Sequence, residues 1–116
     1  MRAYDTRCAV CAIRHSQLLD AAHITADADE RGEPVTSNGL ALCKIHHGAF
    51  DAGIMGIRPN LTLHVRADVL AEVDGPMLRH GIQAHHDQSL MVVPTARRDR
   101  PDSVRLEERY SLFLAR

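Results

Sequence analysis

Two short patterns constrain this chain more than anything else in it, Cys8-Ala9-Val10-Cys11 and Cys43-Lys44-Ile45-His46. Together they offer three thiolates and an imidazole as C-x2-C followed by C-x2-H, the ligand set of a closed structural zinc site. An odd number of cysteines, three in all, cannot pair completely, and the C-x2-C spacing favours metal over a disulfide framework. A reducing cytoplasm is the expected compartment. The pattern assigns His46 to zinc. His47 follows it on the same incipient helix, points about 100° away, and is left to serve a different site. Partners for such a site stand upstream, in Asp20-Ala21-Ala22-His23-Ile24 and Asn38-Gly39-Leu40.

A zinc staple also answers a shortage. The chain has 116 residues, 45% of them apolar, but only 3% are aromatic and tryptophan is absent. One domain of this size buries roughly two thirds of its extended surface, and here the core must be aliphatic, so metal binding makes up part of the deficit. The amino-terminal residues contain no apolar run like that of a signal peptide, and no segment approaches the ~18 apolar residues of a membrane span. No membrane partner is expected.

Charge speaks against a broad nucleic-acid surface. The net charge is −1, whereas sequence-independent DNA affinity comes mainly from a basic excess. All but one of the fourteen cationic side chains are arginine, and Arg97, Arg98 and Arg100 cluster between two prolines. Arginine suits bidentate phosphate contacts, which makes these three candidate nucleic-acid contacts; a solvated loop is the plainer reading.

Residues 18–24 read as a strand, 25–37 as a polar, acidic loop of about a dozen residues, a length often associated with function, and 38–43 as a second strand. A helix follows from Lys44 to Ala52, with Gly53 as its stop. Residues 54–58 and 61–65, split by Pro59-Asn60, resemble a hairpin. A short helix over 67–73, a helix begun by Gly75-Pro76 and a buried strand at 90–93 are expected next. The last segment reads as a helix capped by Asp102 or Ser103, with Leu106, Tyr110, Phe113 and Leu114 as its core stripe. His85 and His86 lack partners at a recognisable spacing and are expected to be exposed; His15, His64 and His80 carry no signal.

The segments Asp20-Ala21-Ala22-His23-Ile24, Asn38-Gly39-Leu40-Ala41-Leu42-Cys43 and His46-His47-Gly48-Ala49-Phe50-Asp51-Ala52-Gly53 resemble the three motif segments of HNH endonucleases, in that family's order and approximate spacing. The branch is similar to the nuclease domain of modification-dependent restriction enzymes, and a weaker similarity continues through 75–78 and 106–110. The resemblance implies an α+β fold: a ββα-metal core over about 8–53, stapled by the Cys3His zinc site, with further helices and short strands over 54–116, in one domain of 1–116. His23, Asn38 and His47 correspond to H, N and H.

Hydrolysis of a phosphodiester needs a base for water, a cation on the phosphate and stabilisation of the leaving oxygen. A histidine near neutrality suits the first task, here His23. Mg²⁺ or Mn²⁺ held by few protein ligands suits the others, with His47 as a ligand. The Asn38 amide fixes the loop and orients His23. The implied products from DNA carry 5′-phosphate and 3′-hydroxyl ends, and the implied role is restriction or DNA defence.

One position departs from the family pattern. Many members have aspartate immediately before the first histidine, as a metal ligand, and here Ala22 stands there. Asp20 shares Ala22's face of the strand but lies one pleat, roughly 7 Å, away. Asp51 is the rival, four residues beyond His47 on the same helical face. Two other functions compete: a non-catalytic zinc module binding nucleic acid or protein, and a nuclease for RNA or for branched or nicked structures. With so little positive charge, a homodimer or a separate DNA-recognition partner is expected to hold the substrate.

Overall fold

The structure, a computed structural model, describes residues 2–25 and 36–116. Most of the acidic loop expected at 25–37 lies outside the described residues.

The first hairpin pairs the two segments expected as strands at 18–24 and 38–43. Strand β1, Leu19–His23, pairs antiparallel with β2, Gly39–Cys43, in a register that sets Leu19 opposite Cys43 and His23 opposite Gly39. Ala22, Leu40 and Leu42 are buried. Helix α1, Lys44–Asp51, starts at once because Cys43 caps it, its sulfur accepting from the His46 N–H at 3.5 Å. Gly53 ends it with φ +73°. The Gly53 amide donates to the Phe50 carbonyl at 3.3 Å and the Ile54 amide to that of Ala49 at 2.9 Å, the paired bonds of a glycine-terminated helix. These three elements are the expected ββα unit.

A second hairpin pairs β3, Met55–Ile57, with β4, Leu63–Val65. The long carboxy-terminal helix, which we call α3, covers Ser103–Leu114 and is capped by the Asp102 carboxylate accepting from the Arg105 amide at 3.0 Å. It lies on β3 so closely that a Cβ at Gly56 would come within 2.7 Å of the Phe113 ring. Leu106 is fully buried, while Leu114 is 57% exposed; at about 100° per residue it has rotated off the stripe of Leu106, Tyr110 and Phe113.

Two expectations between these elements are corrected and one, the helix begun by Gly75-Pro76, is refined in type. The helix expected at 67–73 is the single turn α2, Ala67–Leu70. It ends early because the Gln83 side-chain amide takes the carbonyls of Val69 and Glu72, each at 2.9 Å. The segment after Pro76 is a π-helical turn, Met77–Ile82, followed by a tighter turn, Gln83–His85. The buried strand expected at 90–93 is absent: the amides of Met91 and Val92 both donate to the Ala9 carbonyl, at 2.8 and 3.1 Å, whereas successive strand amides point to opposite sides. Leu90 is nonetheless buried.

Candidate active site and zinc centre

The four staple residues converge. Ligand atoms of Cys8, Cys11, Cys43 and His46 all lie within 4.8 Å of one another. His46 Nδ1 is 3.6 Å from the Cys8 sulfur and 3.2 Å from that of Cys43; a tetrahedral zinc with bonds near 2.3 Å to sulfur and 2.0 Å to nitrogen sets such edges at about 3.5 Å. The other ring nitrogen, Nε2, lies 2.7 Å from the Gly81 carbonyl. That bond keeps its proton on Nε2 and turns Nδ1 to the sulfurs, the outer support usual for a metal-bound histidine. The electrostatics fit a cation as well: hydrogen bonding from the Cys11 thiol, with His46 adding to it, pushes the Cys8 thiol down to about 3. Cys11 is pushed up in turn, because it gives its hydrogen bond to that thiolate. A buried sulfur anion among soft donors is what a structural zinc neutralises.

His47, on the adjoining face of α1, stands between two carboxylates. Its Nδ1 is 2.9 Å from Asp20 Oδ2 and its Nε2 is 3.1 Å from Asp51 Oδ2. Lys44, one turn before His47, pairs with the other oxygen of Asp20. Hydrogen bonds from His47 and Lys44 hold the Asp20 carboxyl below its ordinary value. Both rival aspartates therefore reach His47, from opposite edges of the ring. An octahedral ion with bonds of about 2.1 Å places neighbouring ligand atoms about 3.0 Å apart, which suits a shared cation at either ring nitrogen, Nε2 with Asp51 or Nδ1 with Asp20. The pairing of Lys44 with the other oxygen of Asp20 favours the Asp20 contact as the orienting one.

His23 closes β1, half-buried. Asn38 is fully buried, and its carboxamide works on the backbone two residues beyond His23: Oδ1 accepts from the Thr25 amide at 2.7 Å and Nδ2 donates to the Thr25 carbonyl at 3.2 Å. The Asn38 carbonyl also accepts from the Ile24 amide at 2.9 Å. Asn38 thus clips the chain where it leaves the strand that carries His23.

The turn that carries the arginine cluster, Arg97–Asp99, packs beside the turn Thr36–Asn38. Arg97 and Arg98 are exposed on a short turn. Arg100 spends its guanidinium on the carbonyls of Pro94, at 2.8 Å, and Thr95, at 3.5 Å. His86, expected to be exposed, is half-buried and accepts from the Val65 amide at 3.0 Å; His64 meets the Tyr110 hydroxyl at 2.7 Å.

Two residues escape a reading by motif. Lys44 had a signal, since three residues before His47 is the same helical face. Arg109 had none. From α3 its Nη2 reaches Asp51 Oδ1 at 3.2 Å, and its Nη1 reaches the carbonyls of His23 and Ile24.

The HNH endonuclease family matches over residues 8–58, somewhat under half of the chain. A solved structure described as "Modification dependent TagI restriction endonuclease" is similar in fold, with a TM-score of 0.61 and 21% sequence identity over 96% of this chain. This chain spans 34% of that protein's chain. No curated protein matches it. Among the described residues no helix is long and apolar enough to cross a membrane. The ββα unit, the Cys3His cluster and the match to the HNH endonuclease family all fall on the same stretch, residues 8–58.

Proposed function

We propose that this chain hydrolyses DNA phosphodiester bonds in a divalent-metal-dependent reaction that leaves 5′-phosphate and 3′-hydroxyl ends, within a restriction or DNA-defence system. The observation that carries the proposal is the placement of His47 between Asp20 and Asp51, on the helix that begins at the zinc ligand Cys43.

His47 Nε2 and Asp51 would hold the Mg²⁺ or Mn²⁺ ion, with Asp20 and Lys44 fixing the ring from Nδ1. When bound, the ion supplies positive charge to the scissile phosphate and to the leaving oxygen. His23 takes the proton from the attacking water, a task suited to an imidazole near neutrality. Asn38 keeps the end of β1 in place through Thr25, and so holds His23 at the distance that the zinc staple and α1 define. Arg97 and Arg98, on their exposed turn, contact flanking phosphates. A separate recognition module or a second copy of the chain supplies the remaining hold on DNA.

Plasmid cleavage with Mg²⁺, with Mn²⁺ and with EDTA tests the reading, together with His23→Ala. That variant is expected to lose at least ~100-fold in rate, the lower range for a positioned general base, with zinc content and circular dichroism unchanged. Near-normal cleavage by the folded variant would remove His23 from the reaction. RNA and nicked or branched DNA in the same assay settle the substrate class.

A further inference from the structure

Arg109 belongs to α3, beyond the segment that matches the family, yet its guanidinium sits where the two halves of the candidate site meet. Nη1 donates to the carbonyls of His23 at 3.4 Å and Ile24 at 3.0 Å. Nη2 donates to Asp51 Oδ1 at 3.2 Å. The carbon at the centre of the group lies 4.2 Å from the centre of the Phe50 ring. The other oxygen of Asp51 is the one 3.1 Å from His47 Nε2. One planar fork therefore joins the end of β1 to α1 and fixes the rotation of the Asp51 carboxylate.

An ordinary surface ion pair is worth little, and Asp51 alone, with 56% of its side chain exposed, would belong to that class. Arg109 differs from it. Its side chain is 19% exposed, it stacks on an aromatic ring, and its bonds run to backbone carbonyls as well as to a carboxylate.

We propose that Arg109 is a positioning residue of the nuclease site, holding Asp51 Oδ2 towards His47 Nε2 and holding the strand end that carries His23 against α1. The inference rests on the roles given above to His23, His47 and Asp51. It makes α3 a part of the active site rather than an appendage to the ββα unit. Lysine cannot replace this arginine, because a single ammonium is a point charge and cannot span two carbonyls and a carboxylate in one plane.

The test compares the parent chain with Arg109→Lys and Arg109→Met. The Lys variant keeps the charge and a methylene stem over Phe50, so it carries the test if the Met variant fails to fold. Zinc content and thermal midpoint are measured first, then Mn²⁺ affinity from the paramagnetic resonance of the unbound ion, then kcat, KM and their salt dependence on plasmid DNA. Arg109→Lys is expected to retain zinc and to lose about tenfold or more in both Mn²⁺ affinity and kcat, as outer-sphere substitutions do. KM and the slope of binding against salt stay as in the parent.

Parent-like kcat and Mn²⁺ affinity in Arg109→Lys would overturn the inference and leave the nuclease reading standing. So would a loss confined to KM with a salt slope lower by about one, the signature of a phosphate contact. A parent protein that neither binds Mn²⁺ nor cleaves overturns the site reading itself, and this inference with it.

Discussion

At the scale of single residues, the proposed site gives the adjacent pair His46-His47 two separate tasks. His46 is buried, with Nδ1 among sulfurs and Nε2 on the Gly81 carbonyl; His47 reaches carboxylates at both ring edges. His47→Ala is accordingly expected to lower divalent-metal affinity and cleavage by about 10- to 100-fold or more while keeping one zinc per chain. Zinc analysis and plasmid cleavage on one preparation decide it: stoichiometric loss of zinc would mean that the roles of the two histidines are exchanged. Much of this was legible in the sequence, because helical spacing alone puts Asp51 on the face of His47 and a C-x2-H pattern selects His46. The reach of Asp20 was legible only in part, since strand alternation gave its face but not the Lys44 contact that steers its carboxylate. Arg109 and the Gly81 carbonyl were not legible. Neither stands at a fixed interval from the motif, and a tertiary contact to a backbone oxygen leaves no pattern in side-chain identities.

At the scale of elements, local signals succeeded where one element supplies its own bonds. The capped and glycine-terminated α1 and the Asp102-capped α3 are of this kind. They failed at 67–73 and 90–93, where Gln83 and the Ala9 carbonyl capture the backbone from a distance. The junction between β4 and α3 has a testable consequence. His64 meets the Tyr110 hydroxyl at 2.7 Å, and that oxygen lies 3.4 Å from Arg58 Nε. Desolvation lowers the pKa of His64, helped by the charges of Arg58 and His86 and opposed by Asp87. Well above the ordinary histidine value of 6.5, folded and unfolded chains both hold His64 neutral, and it contributes no pH dependence. As the pH falls below that value, the unfolded chain takes up the proton first, so stability declines towards the lowered folded value. The thermal midpoint should therefore drop between pH 7.5 and pH 5.5, and drop less in His64→Gln. Equal slopes for the two proteins would mean that His64 titrates alike in both states.

At the scale of the whole molecule, the proposed zinc site would decide whether the nuclease site forms. It ties the loop of Cys8 and Cys11 to the first residue before α1, and α1 in turn carries His47 and Asp51 towards the strand of His23. The π-helical turn joins the same centre through Gly81, so elements from both halves of the chain depend on it. Apparent binding energies for structural zinc are on the order of 10 kcal/mol or more, comparable with the whole stability of a small domain. Cys43→Ser isolates this contribution, because serine is itself a favoured residue at the start of a helix and the substitution spares the cap while removing a ligand. The variant is expected to lose zinc, most of its thermal stability and its cleavage together. EDTA at a strength that removes only Mg²⁺ is expected to stop cleavage and leave the circular dichroism unchanged, since the side chains proposed to hold Mg²⁺ are partly open to solvent whereas Cys8, Cys43 and His46 are buried. Zinc content, thermal midpoint and plasmid cleavage, measured on one preparation, separate the two metals. A Cys43→Ser protein that is zinc-free yet fully stable and active would show that the four converging ligands are not what holds this fold together.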